Sequence, residues 1–235
     1  MGVMESTYHE LDPDGDITLI LTDVHTPFAI WHDDRDGTPL PAPMELPESS
    51  DDNPTLVKDS EATQVRIQVS SKHLMLASPH FNRMLKGDWK EAHQLSSEGC
   101  LSQHLEGRDP EAMLILMNII HGHTRKVPRE ISLELLTKIA VLVDYYQCIE
   151  AVELFSEIWI NSLKLGFPET YSRDLMLWMC VSWVFRQPEQ FKAATRIALM
   201  QSKVEVQALE LPISPKVIGN YSTTKPFIRI QLIDT

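Results

Sequence analysis

The clearest pattern of apolar and polar positions begins at Val65. Val65-Arg66-Ile67-Gln68-Val69 alternates between the two, which predicts a strand with one buried face. Leu74, Met75, Leu76 and Ala77 then predict a short helix capped by Ser70 or Ser71. Ser78-Pro79 restarts the chain as an N-cap followed by a proline at the first helical position, and Phe81, Met84 and Leu85 share one face of a helix that Gly87 ends. Residues 100–105 read as a weaker strand. Asp109-Pro110-Glu111 supplies a cap, a first-turn proline and an acid that agrees with the helix dipole. The following stretch, 112–120, is apolar almost all round and predicts a central buried helix. Ser132 caps another, with Leu133, Leu136, Ile139, Ala140 and Val143 at helical spacing. A longer helix turns Ile149, Val152, Phe155, Ile158, Trp159 and Leu163 inward, carries Glu150, Glu153 and Glu157 in its first half, and closes at Lys164 and Gly166. Two more helices are expected at about 172–186 and 189–202, and residues 227–233 alternate like a strand. No internal repeat is present. The fold class is α+β, a few short strands followed by a cluster of helices.

Upstream of this body the pattern is sparser. Ile17-Thr18-Leu19-Ile20-Leu21 is a strand introduced by the turn Asp14-Gly15-Asp16, and Phe28-Ala29-Ile30-Trp31 is a second short strand candidate. Between them and Val65 lies an acidic, proline-rich stretch with few apolar residues, about 32–62, which reads as a disordered insertion between paired strands. Residues 1–13 are expected to be a flexible N-terminus.

Charge sharpens that division. Residues 1–62 carry 15 acids against Arg35 and Lys58, whereas residues 63–235 carry 18 acids and 19 bases. The whole chain of 235 residues has a formal charge of -12 and no basic patch, which argues against a nucleic-acid partner. Cys100, Cys148 and Cys180 are odd in number and widely spaced, as expected of buried thiols in a reducing compartment. The N-terminal residues lack the basic and apolar regions of a signal peptide, and the densest apolar stretch, 176–185, is half a membrane span. An intracellular protein of nucleus or cytoplasm, without a membrane partner, is expected.

No catalytic pattern survives inspection: GxSxG, GxxxxGK, GxGxxG and HExxH are all absent. Cys148 has no histidine near it in sequence and reads as a structural thiol. His121-Gly122-His123 has metal-like spacing, but glycine breaks the helix there, and helix-end histidines are the ordinary reading. Asp33-Asp34-Arg35-Asp36-Gly37 resembles a calcium loop yet places Met44 where the bidentate Glu belongs. Trp178 and Trp183, with Leu175, Met179 and Phe185, read as core or interface. These residues predict no enzyme, cofactor or metal.

The run Val69-Ser70-Ser71-Lys72-His73-Leu74, continued by Ser78, Phe81 and Met84-Leu85, resembles the signature of BTB/POZ domains, where a strand runs into V-H-K-x-x-L-x-x-x-S-x-x-F-x-x-M-F. Asp109-Pro110-Glu111-Ala112-Met113 is similar to the D-P-E-A-F start of that family's central helix, and Ile119-Ile120-His121-Gly122 stands where Y-I-Y-T-G is usual. Gly15-Asp16-Ile17-Thr18-Leu19 is similar to the opening S-D-V-x-L strand. Residues 132–159, centred on Leu142-Val143-Asp144-Tyr145-Tyr146, resemble the last two helices. The resemblance covers about 14–165 and is nearest to the compact BTB proteins common in filamentous fungi. It departs at Ser70 and Ser71, where the family has His and Lys, and no kelch, MATH or zinc-finger partner module accompanies it.

The resemblance implies a small sheet of short strands packed against five or more helices, at 14–165, followed by a C-terminal helical extension and strand-like tail at 166–235. It implies a non-enzymatic protein-protein interaction module, commonly a homodimer, that scaffolds partners, for example in transcription. The dimer interface it suggests is Ile17, Leu19 and Leu21 of the first strand with Leu74 and Met75 of the first helix. The alternative is a substrate adaptor of a cullin-type ubiquitin ligase. Trp89-Lys90-Glu91, eight residues after Phe81, resembles the hydrophobic-x-Glu motif that docks a cullin, with Trp89 and Glu91 as the contacts.

Overall fold

A computed structural model describes residues 6–22, 27–31, 64–202 and 206–213. The acidic insertion, the calcium-like loop and the strand-like run at 227–233 lie outside the described residues. Four strands, β1 (Ser6–Glu10), β2 (Ile17–Thr22), β3 (Gln64–Val69) and β4 (Leu101–Glu106), form one mixed sheet in the order β1-β3-β2-β4. The described helices are α1 (Ser71–Ala77), α2 (Pro79–Lys86), α3 (Lys90–Glu98), α4 (Pro110–Ile120), α5 (Leu133–Tyr146), α6 (Ile149–Leu163), α7 (Arg173–Val184) and α8 (Pro188–Gln201). The α+β class is as expected.

β2 and β3 pair antiparallel, Ile17 opposite Val69 and Leu21 opposite Val65, so the two strands flanking the insertion are neighbours as expected. β3 keeps its predicted alternation, with Val65, Ile67 and Val69 buried and Arg66 exposed. β4 runs parallel to the other side of β2, and on its outward face Ser102, His104 and Glu106 meet solvent. The expected flexible N-terminus instead contains β1, which pairs parallel to β3, and the adjoining Leu11 is buried.

Three of the predicted caps form, those of α2, α4 and α5. Ser78 Oγ accepts from Phe81 N at 3.1 Å, Asp109 Oδ1 from Ala112 N at 2.9 Å and Ser132 Oγ from Leu135 N at 3.1 Å. Buried Ser78 also donates to the backbone oxygen of Tyr146 at 2.5 Å, tying the start of α2 to the end of α5. α4 is central, with eight buried residues from Ala112 to Ile120.

Two further expectations are corrected. Residues 27–31 are irregular rather than a strand, because β2 already has β3 on one side and β4 on the other, leaving no free edge beside it. Their carbonyls are used elsewhere: Arg173 donates to Ala29 O at 2.8 Å and Phe28 O at 3.0 Å, and Trp31 packs edge-on against Tyr171. Cys100 is exposed, because it follows left-handed Gly99 in the connection from α3 to β4, while Cys148 and Cys180 are buried. The helical extension that begins at 166 packs into the same core as the residues before it. α7 is buried nearly all round and shares one hydrophobic cluster with β2, α4 and α5, which Val206, Leu211 and Ile213 also join.

Candidate interaction surface

The position of α1 is set by residues distant in sequence. Its N-cap, Ser70, makes no side-chain cap bond. Asp16, in the turn before β2, does that work: its carboxylate accepts from Ser71 N and from Ser71 Oγ, each at 2.7 Å. The Ser70 N–H is donated to His121 Nε2 at 3.0 Å, and His121 Nδ1 lies 2.8 Å from Met117 O. Gly15 is required in this turn, since a Cβ there would lie 2.8 Å from Asp12 O and 2.9 Å from Val69 O.

With its start held, α1 divides its apolar residues. Leu74 is fully buried, Met75 is half-buried, and Leu76 is 88% exposed. Of the residues the resemblance suggests for a dimer interface, Ile17, Leu19, Leu21 and Leu74 therefore point into the protein's own core, and β2 is paired along both edges. Met75 is the member of this set left at the surface, beside Leu76. The helical pattern marked Leu76 as apolar but gave no hint of its direction, because a seven-residue helix holds too few apolar positions to define a face.

Trp89 stands at the N-cap of α3, in the connection after Gly87, and is 64% exposed. Its indole lies against Gly87, where an added Cβ would come within 2.8 Å of Trp89 Cδ1. Glu91 follows in the first turn of α3 and is partly exposed. α3 itself escaped the sequence pattern, having only Ala92 buried.

An aromatic cluster backs α2. Phe81 stacks on Tyr146 with centroids 4.6 Å apart, His80 and half-exposed Tyr145 adjoin it, and the Arg108 guanidinium lies 4.6 Å from the Tyr145 ring centre. Burial, and then the Arg83 charge, lower the pKa of His80. Burial raises that of Tyr146 to about 12. On the helical side, the Trp183 and Phe191 rings meet at a tilt with centroids 5.5 Å apart, and Leu199 and Met200 of α8 are also exposed.

A charged network joins the helices. Lys138 contacts Asp109 at 2.9 Å and Glu134 at 3.1 Å, and Arg173 contacts Glu134 at 2.8 Å. Burial favours the neutral Glu134 carboxyl, but hydrogen bonds from Arg173 and Lys138 outweigh it and hold the carboxyl below its ordinary range. Glu134 and Lys138 border an open cleft of about 570 Å³ that Glu111, Pro128 and Leu135 also line.

Burial pushes the Cys148 thiol to about 12, so it stays protonated at neutral pH. Cys180 is raised further, again by burial. Both ring nitrogens of His121 are engaged by the backbone, which leaves neither free for a metal. Among the described residues no group of three or more His, Cys, Asp or Glu could hold a metal ion, and no helix is long and apolar enough to cross a membrane. No protein-family model and no curated protein matches the chain.

Proposed function

We propose that this chain is a BTB/POZ-like protein-protein interaction module that self-associates and scaffolds partners through the surface bearing α1. The observation that carries this reading is Leu76: an almost wholly solvated leucine on a helix whose start is fixed by Asp16 and His121. Covering such a side chain contributes about 1.5–3 kcal/mol, and a two-fold contact would use it twice. Support also comes from where the resembling pieces fall. The piece similar to the family's opening strand falls on β2, the signature-like run spans β3 through α2, the D-P-E-A piece starts α4, and the piece similar to the family's last two helices covers α5 and α6. A dilution series followed by amide NMR tests the surface. Concentration-dependent shifts centred on 71–77 are expected; shifts confined to other elements would reject α1 as the contact.

Exposed Trp89 supports a second reading, a cullin-type ubiquitin-ligase adaptor, since aromatic anchors dominate interface energetics. Trp89→Ala is expected to abolish capture by a cullin N-terminal domain while leaving the fold intact. Equal capture by wild type and variant would remove Trp89 from the contact, and no capture by the wild type would reject the adaptor reading.

A further inference from the structure

His121 caps the C-terminus of α4 and reaches the first residue of the α1 turn 51 positions away in sequence. The two hydrogen bonds specify its protonation state. Met117 O can only accept, so Nδ1 carries the proton. Ser70 N–H can only donate, so Nε2 must present its lone pair. Only neutral imidazole in the Nδ1–H tautomer satisfies both. A proton on Nε2 would set N–H against N–H and leave Ser70 without its acceptor.

We propose that His121 is a proton-operated clasp: neutral, it holds the first turn of α1 against α4, and protonated, it lets that turn open. The ionisable groups around it act in both directions. From α1, the His73 ring stands 4.9 Å away and opposes a second positive charge. From the turn between β1 and β2, Asp12 favours the proton; its carboxylate lies 4.0 Å from His73 Nδ1. His123, beyond Gly122, opposes it. Asp16 is occupied by Ser71. Desolvation of the partly buried ring is the largest influence and, with His73, leaves His121 below its ordinary value despite the Met117 hydrogen bond and Asp12.

The direction of the pH effect follows. A histidine whose pKa falls on folding binds fewer protons in the folded state than in the unfolded one, so stability rises with pH. The clasp is complete above the unfolded value of about 6.5 and is lost as pH falls from there through the lower folded value. Any effect of acid on partner binding rests on reading α1 as the interaction surface; the clasp itself does not.

The test is ¹⁵N NMR of the His121 ring with amide exchange of residues 70–74, on the full chain between about pH 7.5 and 5. Expected are the Nδ1–H tautomer at neutral pH, a midpoint below about 6.5, and opening of these amides that grows by up to about tenfold per pH unit below the unfolded value. His121→Gln, whose amide can accept and donate at similar positions without titrating, should make that opening independent of pH. His73→Gln should raise the His121 midpoint and Asp12→Asn lower it. An Nε2–H tautomer, a midpoint at or above 6.5, or exchange that follows pH equally in His121→Gln would overturn the proposal. The ring measurement on wild type decides the matter even where a variant folds poorly. It is also separate from self-association, so failure of either idea leaves the other testable.

Discussion

Ser78 fills two roles with one hydroxyl. It accepts from the first turn of α2 and donates to Tyr146 O, a carbonyl at the end of α5 that has no partner within its helix. Ser78→Ala removes both, and the site is fully buried, so water cannot substitute easily. Losing the cap costs about 1 kcal/mol and stranding the carbonyl about 1–3. A lower urea midpoint with an unchanged slope, their product giving that loss of unfolding free energy, is expected; an unchanged midpoint would contradict the shared role. The cap was legible in the sequence because Ser-Pro before an apolar period is a local signal. The donation to Tyr146 was not, since it joins residues 68 positions apart. The same limit hid the anchoring of α1. Ser70 and Ser71 looked like its caps, yet Asp16 and His121 hold it from 55 and 51 positions away.

Among elements, the legible ones had a strong apolar period. β2, β3, α4, α5, α6 and α7 all bury enough side chains to write their geometry into the sequence. α3 and β1 do not: one buries Ala92 alone, and the other, Ser-Thr-Tyr-His-Glu, is a polar edge strand whose partner β3 lies beyond the insertion. Residues 27–31 misled for the opposite reason. Their apolar side chains read as a strand, but Phe28 and Trp31 pack against the core while Arg173 takes the carbonyls. Ala29 adopts φ 48° there, a conformation that a strand would not allow. Arg173→Lys is expected to destabilise the protein by about 2 kcal/mol, because one ammonium cannot reproduce a planar fork spread over two carbonyls and Glu134. Calorimetry checks this; a melting temperature equal to wild type would mean that the strap is held by Trp31 and Phe28 alone.

At the scale of the whole molecule, one core runs from the sheet through α4 and α5 to α7 and onward to Ile213. A reader of the sequence ends the domain near 165, where the resemblance stops, but the buried faces of α5 need α7 to cover them. The net negative charge, by contrast, resides in 1–62, so the rest of the chain is nearly neutral and free of long-range self-repulsion. That balance permits copies of the body to approach, and α1 offers them an anchored apolar side chain. The proposed self-association is tested most directly by light scattering coupled to size exclusion, on wild type and Leu76→Asp at matched micromolar concentration. Wild type is predicted to run near twice 26.8 kDa and the variant near 26.8 kDa, with matching circular dichroism. A wild type that stays at 26.8 kDa, or a variant that keeps the larger mass, would contradict the account.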